Sequence, residues 1–329
     1  MIFSLAITGP TASGKTALSI SLCERLRGEI ISSDSMQIYK GMDIGTAKAT
    51  LDERARVPHH LIDFVDPTEN YSVENYRELA MSCARDISSR GKTPIFVGGT
   101  GLYVDSLLRA PQSDIPESDP LYRDKILSGI GCEADAVSLW ERLREVDPDS
   151  AEKIHYNNIK RVIRALEIYE RCGITKTELD RRSKEASSEI FVGMITLGFH
   201  SRETLYHRID KRVDIMVNEG LFDEVRSLYT QGMLPDGSTA AQAIGYKEIV
   251  SCIKGECTED EAIERIKLSS RRYAKRQLTW FRHTEGACTL FVDDESGNMR
   301  DADSVLNEAI ELYTSFAEEY RAKYETDRV

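Results

Sequence analysis

A stretch near the start of the chain combines glycines, a lysine and a hydroxyl at the spacing of a phosphate-binding loop. Residues 9–16 read GPTASGKT, which fits G-x-x-x-x-G-K-[S/T], and an apolar run precedes them while a helical pattern follows. Backbone N–H groups of residues 13–16 would surround a phosphate, Lys15 would neutralise it, and the Thr16 hydroxyl would hold Mg²⁺. The motif predicts a diphosphate site but leaves open what is done with the phosphate.

Two further polar residues follow apolar strands and are expected near that loop. Asp34 ends the run GEIISSD, where a carboxylate could accept a proton from a nucleophile; a helix N-cap is the alternative role. Thr100 lies in PIFVGGTGLY, where a nucleotide-hydrolysing protein usually has an acidic residue. A hydroxyl there argues against ATP hydrolysis, although a glycine-rich turn closing a strand would also explain the segment.

Two basic segments indicate an RNA-binding surface on a chain whose net charge is −12. Residues 264–283 carry seven Lys and Arg against one Glu, interleaved with aromatic residues. Taken alone, that segment is more typical of a solvated helix with an aromatic core stripe. A second segment, NNIKRVIRALEIYERCG, places Arg161 and Arg164 on one helix face. Basic elements on two different helical units predict a clamp.

Two other pairs could bind metal or phosphate. His59 and His60 have no third ligand at suitable spacing, so a structural or hydrogen-bonding role is favoured. Arg208 and Arg212 lie four residues apart on one helix face, either as surface charges or with one side chain directed at the phosphate. The seven scattered cysteines contain no C-x-x-C and predict neither a disulfide framework nor a zinc ribbon.

The order of the apolar runs predicts an α/β fold with a parallel sheet and sites at the carboxyl ends of the strands. Strands are expected at 2–8, 28–34, 93–99, 191–199 and 288–294, and helices at 15–27, 202–231, 239–254, 258–282 and 302–326. A Pro/Ser/Asp-rich break at 111–119 precedes polar helical segments. We therefore expect a P-loop core at 1–112, a helical insertion at 113–187 and a second core part at 188–329.

The chain is expected to be a soluble, cytoplasmic monomer. No apolar run approaches the roughly 18 residues that a membrane span needs, so no membrane partner is predicted. The phosphate loop begins at Gly9, which leaves little room for a leader peptide before it.

The sequence closely resembles the bacterial tRNA dimethylallyltransferases, also called tRNA isopentenyltransferases. The blocks that carry the resemblance occur in the family's order: GPTASGKT, ISSDSMQIYKGMDIGTAK, VPHHLID, FVGGTGLY, RVIRALEIY, AIGYKE and YAKRQLTWFR. The resemblance implies a P-loop NTPase-like core that binds dimethylallyl diphosphate with Mg²⁺, and an insertion that helps grip the anticodon stem-loop of tRNA. It implies prenylation of N6 of the adenosine immediately 3′ of the anticodon, with the diphosphate as leaving group.

The same resemblance implies roles for individual residues. The catalytic residues would be Asp34 as base, Thr100, Lys15 and Arg208. The diphosphate would be bound by Gly9, Thr11, Ala12, Ser13, Gly14, Lys15 and Thr16. The tRNA would contact Asp34, Ser35, Met36, Gln37, Thr100, Arg123, Lys160, Arg161, Arg164, Tyr246, Lys247, Arg272, Lys275, Arg276 and Gln277. The family commonly has Arg where this chain has Met36, which removes any ionic contact from that position.

Two other functions are compatible with parts of the pattern. A small-molecule kinase shares the P-loop and often has an Asp after its second strand. An RNA-binding module with a vestigial P-loop would share the basic helix. Labelled dimethylallyl diphosphate and γ-labelled ATP distinguish these possibilities by which label reaches an acceptor.

Overall fold

A six-stranded parallel sheet forms the centre of the first of two compact units in the computed structural model, which describes residues 1–109, 119–185 and 188–324. The strands, in the spatial order β3-β2-β4-β1-β5-β6, are β1 Ile2–Thr8, β2 Gly28–Ser32, β3 His59–His60, β4 Thr93–Val97, β5 Ile190–Gly198 and β6 Ala287–Phe291. Strands β1 and β5 are paired along the whole of β1, from Ile2 opposite Ile190 to Thr8 opposite Thr196. The fold is a P-loop NTPase-like α/β fold: the order of apolar runs predicted its parallel sheet, and the family resemblance implied the P-loop core.

Helices cover both faces of this sheet. Those of the first unit are α1 Lys15–Leu26, α2 Leu51–Arg56, α3 Val73–Ser89, α4 Gly101–Leu108, and, after the second unit, α10 Arg202–Asn218, α11 Leu221–Thr230, α12 Tyr246–Ile253, α13 Glu259–Arg282 and α14 Ala302–Tyr324. Helices α1 and α14 pack into one apolar cluster with the strands, and α3 and α4 into another. A third cluster joins α10 to α13 with the loop after β2. Burial on both faces explains why the strands are almost continuously apolar.

Two predicted helices are interrupted in the structure. The segment 202–231 is two helices, because Gly220 adopts a left-handed conformation with φ of 101° and starts α11 in a new direction. The segment 239–254 is a short 3-10 turn at Ala240–Gln242 followed by α12. The two-residue strand β3 was not predicted, since two residues carry no readable period.

The second compact unit comprises residues 109–188 and, over its described residues 119–185, consists of helices. They are α5 Pro120–Ser128, α6 Glu133–Val146, α7 Pro148–Lys153, α8 Ile159–Cys172 and α9 Lys176–Glu185. Its core is built from α6, α7 and α8, with Leu143 and Val162 almost fully buried. The predicted boundaries at 112 and 187, and most of the predicted break at 111–119, lie outside the described residues. Among the described helices of both units, none has the length and apolarity needed to cross a bilayer.

Candidate active site

The phosphate loop joins β1 to α1 and is shaped to receive an anion. Gly14 caps α1 in a left-handed conformation with φ of 94°, and Ala12 also has a positive φ of 63°. The N–H groups of the first helical turn have no intrahelical partner and point out of its N-terminus, where the helix dipole favours negative charge. The Ser13 hydroxyl is buried and has no hydrogen-bond partner among the described residues. These unsatisfied donors fit a diphosphate.

Lys15 is held inside the same loop. Its Nζ donates to the carbonyl oxygens of Gly9 at 3.1 Å and Pro10 at 2.7 Å. Burial, and then the charge of Arg212, lower the pKa of Lys15 to about 7, and Asp34 partly opposes both effects. Burial and the neighbouring cation both destabilise the charged form of Lys15. A bound anion would therefore stabilise the Lys15 ammonium.

Asp34 and Thr100 are brought together at the carboxyl edge of the sheet. The Ser35 N–H donates to Thr100 Oγ1 at 3.0 Å, and the Thr100 hydroxyl lies 3.2 Å from the Ser35 Oγ. Asp34 Oδ1 accepts the Met36 N–H at 2.9 Å, and Asp34 is one of the residues that line the pocket described below. The loops after β2 and β4 therefore form one unit, as expected for neighbouring parallel strands.

Gln277 ties helix α13 to both of these loops. Its Oε1 accepts the Thr11 N–H at 2.9 Å, and its Nε2 donates to the Gly99 carbonyl at 2.9 Å. A Cβ at Gly99 would collide with this amide, and one at Gly101 would lie 2.5 Å from the ring of Trp280. The glycines of FVGGTG thus allow α13 to pack directly on the backbone. Gln277 was predicted to contact tRNA, but it is only 5% exposed and both ends of its amide bind within the protein.

The two arginines of α10 have different positions. Arg208 donates its Nε to the Ala12 carbonyl at 2.9 Å, so it supports the phosphate loop. Arg212 lines the pocket together with Asp34, and burial lowers its pKa, an effect that Asp34 partly offsets. The spacing alone left open whether either arginine faces the phosphate, and the family resemblance gave a catalytic role to Arg208 and none to Arg212. The spacing of four residues was the only available signal.

A pocket of about 300 Å³, a size suited to a small ligand, is lined by Thr11 of the phosphate loop, by Asp34 and by Arg212. Burial, and then the charge of Asp34, raise the pKa of the Tyr273 hydroxyl to about 12, so Tyr273 remains neutral. The polar lining includes Thr11, Asp34, Ser35, Arg212, Ser270, Tyr273 and Arg276. The apolar lining includes Met36, Ile209, Val213, Met216, Leu221, Ile244 and Ile266. The pocket is therefore lined by both charged and hydrocarbon side chains.

The residues of the phosphate loop could hold Mg²⁺ together with a substrate phosphate, and not by protein side chains alone. Within the described ranges, no cluster of three His, Cys, Asp or Glu side chains could hold a metal ion. Mg²⁺ usually takes one or two carboxylates, waters and substrate phosphate oxygens, and the Thr16 hydroxyl is the protein ligand this loop offers. His59 Nδ1 lies 2.7 Å from the Val57 carbonyl and His60 Nε2 lies 2.8 Å from Glu29, which agrees with the structural role expected for this pair.

The basic residues predicted to contact tRNA fall into two groups. One group is exposed: Lys160 and Arg161 on α8, Lys247 on α12, and Arg272, Lys275 and Arg276 on α13. The other group is engaged inside the protein. Arg123 and Arg164 both pair with the fully buried carboxylate of Glu167, at 3.1 and 2.8 Å. Tyr246 is 0% exposed and donates its hydroxyl to Glu224 at 2.6 Å, so it has no surface to offer an RNA.

Met36 and Gln37, also predicted to contact tRNA, follow Asp34 into the loop. Met36 packs on the cluster formed by α10 to α13 and lines the pocket. Gln37 donates to the carbonyls of Thr46 and Ala47, at 3.3 and 3.2 Å, and accepts from Ser32 at 3.3 Å. The Gln37 side chain thus braces the loop.

Comparison with known proteins identifies the family. The family model described as IPP transferase matches residues 37–284, and the isopentenyl transferase model matches residues 3–59. A tRNA dimethylallyltransferase of Anoxybacillus flavithermus is 50% identical over 281 residues, covering 85% of this chain and 87% of the relative. The enzyme of that name from Halalkalibacterium halodurans is 48% identical over 282 residues, covering 85% and 88%. The chain belongs to the tRNA dimethylallyltransferase family.

Solved structures of tRNA dimethylallyltransferases share the fold over nearly the whole chain. The tRNA isopentenylpyrophosphate transferase of Bacillus halodurans superposes with a TM-score of 0.72 at 42% identity, covering 99% of this chain and 100% of that one. A eukaryotic dimethylallyltransferase described as acting on tRNA gives a TM-score of 0.76 at 32% identity, covering 90% and 75%. The chain is therefore a prenyl transferase enzyme.

Proposed function

We propose that this chain transfers the dimethylallyl group of dimethylallyl diphosphate to N6 of the adenosine immediately 3′ of the anticodon in tRNA, and releases diphosphate. The observation that carries the proposal is one pocket that is lined by Thr11 of the phosphate loop, by Asp34 and by a set of hydrocarbon side chains. A kinase would need room for a nucleotide and its acceptor, whereas the hydrocarbon side chains of Val213, Met216 and Ile266 suit a short prenyl chain.

The phosphate loop acts on the leaving group. As the allylic C–O bond breaks, negative charge grows on the diphosphate, and the first-turn N–H groups of α1 and the Ser13 hydroxyl lie ready to donate to it. Lys15 and Arg212 supply positive charge, and Arg208 holds the loop in shape. Mg²⁺, held by the Thr16 hydroxyl and the diphosphate oxygens, would neutralise further charge.

Asp34 acts on the nucleophile. An exocyclic adenine amine is a weak nucleophile that must lose a proton as its nitrogen bonds to the allylic carbon, and the Asp34 carboxylate accepts that proton. Thr100 and Ser35 fix the backbone around Asp34 through their mutual hydrogen bonds. The hydrocarbon side chains exclude water from the allylic carbon, and the flipped-out adenine closes the pocket opening.

The exposed cations of α13 and α8 serve the RNA. Arg272, Lys275 and Arg276 form a basic face beside the pocket that Arg276 lines, and Lys160 with Arg161 form another on the second unit. These side chains would neutralise backbone phosphates of the anticodon stem-loop. We further propose that the enzyme acts in the cytoplasm as a monomer.

The test incubates the protein with an anticodon stem-loop and either labelled dimethylallyl diphosphate or γ-labelled ATP. Label from the prenyl donor should reach the RNA, and Lys15→Ala should abolish transfer while tRNA affinity stays within about twofold, because Lys15 serves only the leaving group. Transfer of γ-phosphate to any acceptor, without prenylation of RNA, would establish a kinase instead. Equal losses of turnover and tRNA affinity in Lys15→Ala would refute the division of roles.

A further inference from the structure

Two segments that are distant in sequence contribute to the lining of the pocket: the chain around Gly45 at the end of the loop of residues 43–45, and the segment that leads into α12. Gly45 of the loop and Thr46, which follows it, line the pocket, as do Ala243, Ile244 and Gly245 from the segment before α12. The two segments are about 200 residues apart in sequence. Contacts between the two segments must therefore fix their separation across the pocket.

A single carboxylate holds both segments. Glu224 Oε2 accepts the N–H groups of Asp43 at 2.9 Å and Ile44 at 2.7 Å. Its Oε1 accepts the Gly45 N–H at 3.1 Å and the Tyr246 hydroxyl at 2.6 Å. Three successive N–H groups form an anion nest of the kind that elsewhere binds phosphate, and here the occupant is a side chain of α11.

The contact between the two segments is also steric. A Cβ at Gly45 would lie 2.5 Å from the ring of Tyr246, so the loop backbone rests directly on that ring. Burial and the Glu224 carboxylate raise the pKa of the Tyr246 hydroxyl, which keeps it a hydrogen-bond donor. On the other side of the loop, the buried ammonium of Lys48 donates to the Tyr39 carbonyl at 2.7 Å and pairs with Asp63 at 2.8 Å. The same ammonium pairs with Asp43 at 2.6 Å, so Lys48 ties the start of the loop to Tyr39 and Asp63 while Glu224 ties the loop to α12.

We propose that Glu224 is a positioning residue that sets the acceptor side of the pocket, by joining the loop 43–45 and Tyr246 through one carboxylate. This inference rests on the proposed function, because Gly45 lines the same pocket as the proposed base Asp34. Glu224 acts through the backbone of Gly45 and the ring of Tyr246 and not on the reacting atoms. Its effect is therefore expected on the acceptor and not on the diphosphate.

The experiment compares Glu224→Gln and Tyr246→Phe with wild type in single-turnover prenylation of an anticodon stem-loop. An amide keeps the size of the side chain but replaces one accepting oxygen with an NH₂ that opposes the N–H groups of the nest. Misplacement of these segments should lower the rate at saturating RNA by about 10- to 100-fold in Glu224→Gln. Tyr246→Phe removes one of the four donors and should cost about 3- to 10-fold. The dissociation constant of dimethylallyl diphosphate should change less than about twofold in both variants.

The matched control is Glu53→Gln. Glu53 also accepts a backbone N–H, from Thr50 at 2.8 Å, but it does so at the start of α2, and neither residue lines the pocket. This control should prenylate at the wild-type rate. A wild-type rate in Glu224→Gln, or an equal loss in Glu53→Gln, overturns the inference, and so does a parallel loss of donor affinity, which would indicate a general fold defect. If Glu224→Gln does not fold, an unchanged rate in Tyr246→Phe overturns it. Absence of prenylation by wild type would instead refute the proposed function.

Discussion

Donor binding should take up a proton, because Lys15 is a lysine whose pKa lies near neutrality in the free enzyme. Burial and Arg212 lower that pKa to about 7. A bound diphosphate brings negative charge against the ammonium and raises its pKa. The protonated form is the one that binds, so affinity is greatest below pH 7 and falls as pH rises through that value. Affinity continues to fall with rising pH until the pH reaches the pKa of Lys15 in the donor complex.

The magnitude follows from the protonated fraction. With a free pKa of about 7, half of the Lys15 side chains are charged at pH 7 and about 1% at pH 9, so the dissociation constant should rise about 50-fold over this range. That change corresponds to about 2.3 kcal/mol. At pH 8 the complex should take up about 0.9 proton per donor bound.

Isothermal titration of dimethylallyl diphosphate into the RNA-free enzyme measures both quantities, with dissociation constants from pH 7 to 9. At pH 8, a comparison of buffers with different ionisation enthalpies gives the proton count. Lys15→Arg is the control, because a guanidinium stays charged throughout and should give a nearly flat profile, whatever its absolute affinity. A wild-type dissociation constant that stays flat from pH 7 to 9, or equal apparent enthalpies in both buffers, would refute the reasoning.

Two further predictions address the base and the RNA surface. Asp34→Asn should retain both substrates but lose about 10²- to 10⁴-fold in single-turnover rate, and a rate within threefold of wild type would leave Asp34 no role as the base. Replacing Lys275 and Arg276 by Ala should weaken tRNA binding and reduce the slope of log affinity against log salt by about one unit per lost phosphate contact, with donor binding intact. Replacing Arg321 and Lys323 on the acidic α14 should change neither, and equal slopes in both double variants would show that α13 does not hold the RNA.

Features that depend on local sequence could be predicted. The phosphate loop, the strand before it and the helix after it all follow from short-range backbone chemistry, and β1 and α1 occupy the expected residues. The break before α11 could have been anticipated from Gly220, yet the apolar period continues across it and concealed the change of direction.

Features that depend on distant contacts could not be predicted. Gln277 and Tyr246 were assigned to the RNA surface, because a sequence pattern shows residue types but not which side of a helix faces the core. The Gln277 amide reaches Thr11 across 266 positions, and Glu224 reaches Ile44 across 180. Nothing in the sequence near Glu224 or Gln277 indicates those partners.

Contacts at two points of helix α13 fix both its position and its rotation about its own axis. Its N-terminus is set by a capping box between Thr258 and Glu261, and its interior is pinned where Gln277 meets the phosphate loop. Inserting or deleting one residue between these points would rotate everything beyond it by about 100° and shift it by about 1.5 Å. Either Gln277 would lose its partners, or Lys275 and Arg276 would turn away from their present face. The number of residues between the cap and the amide is therefore constrained even where the identities of the intervening side chains are not.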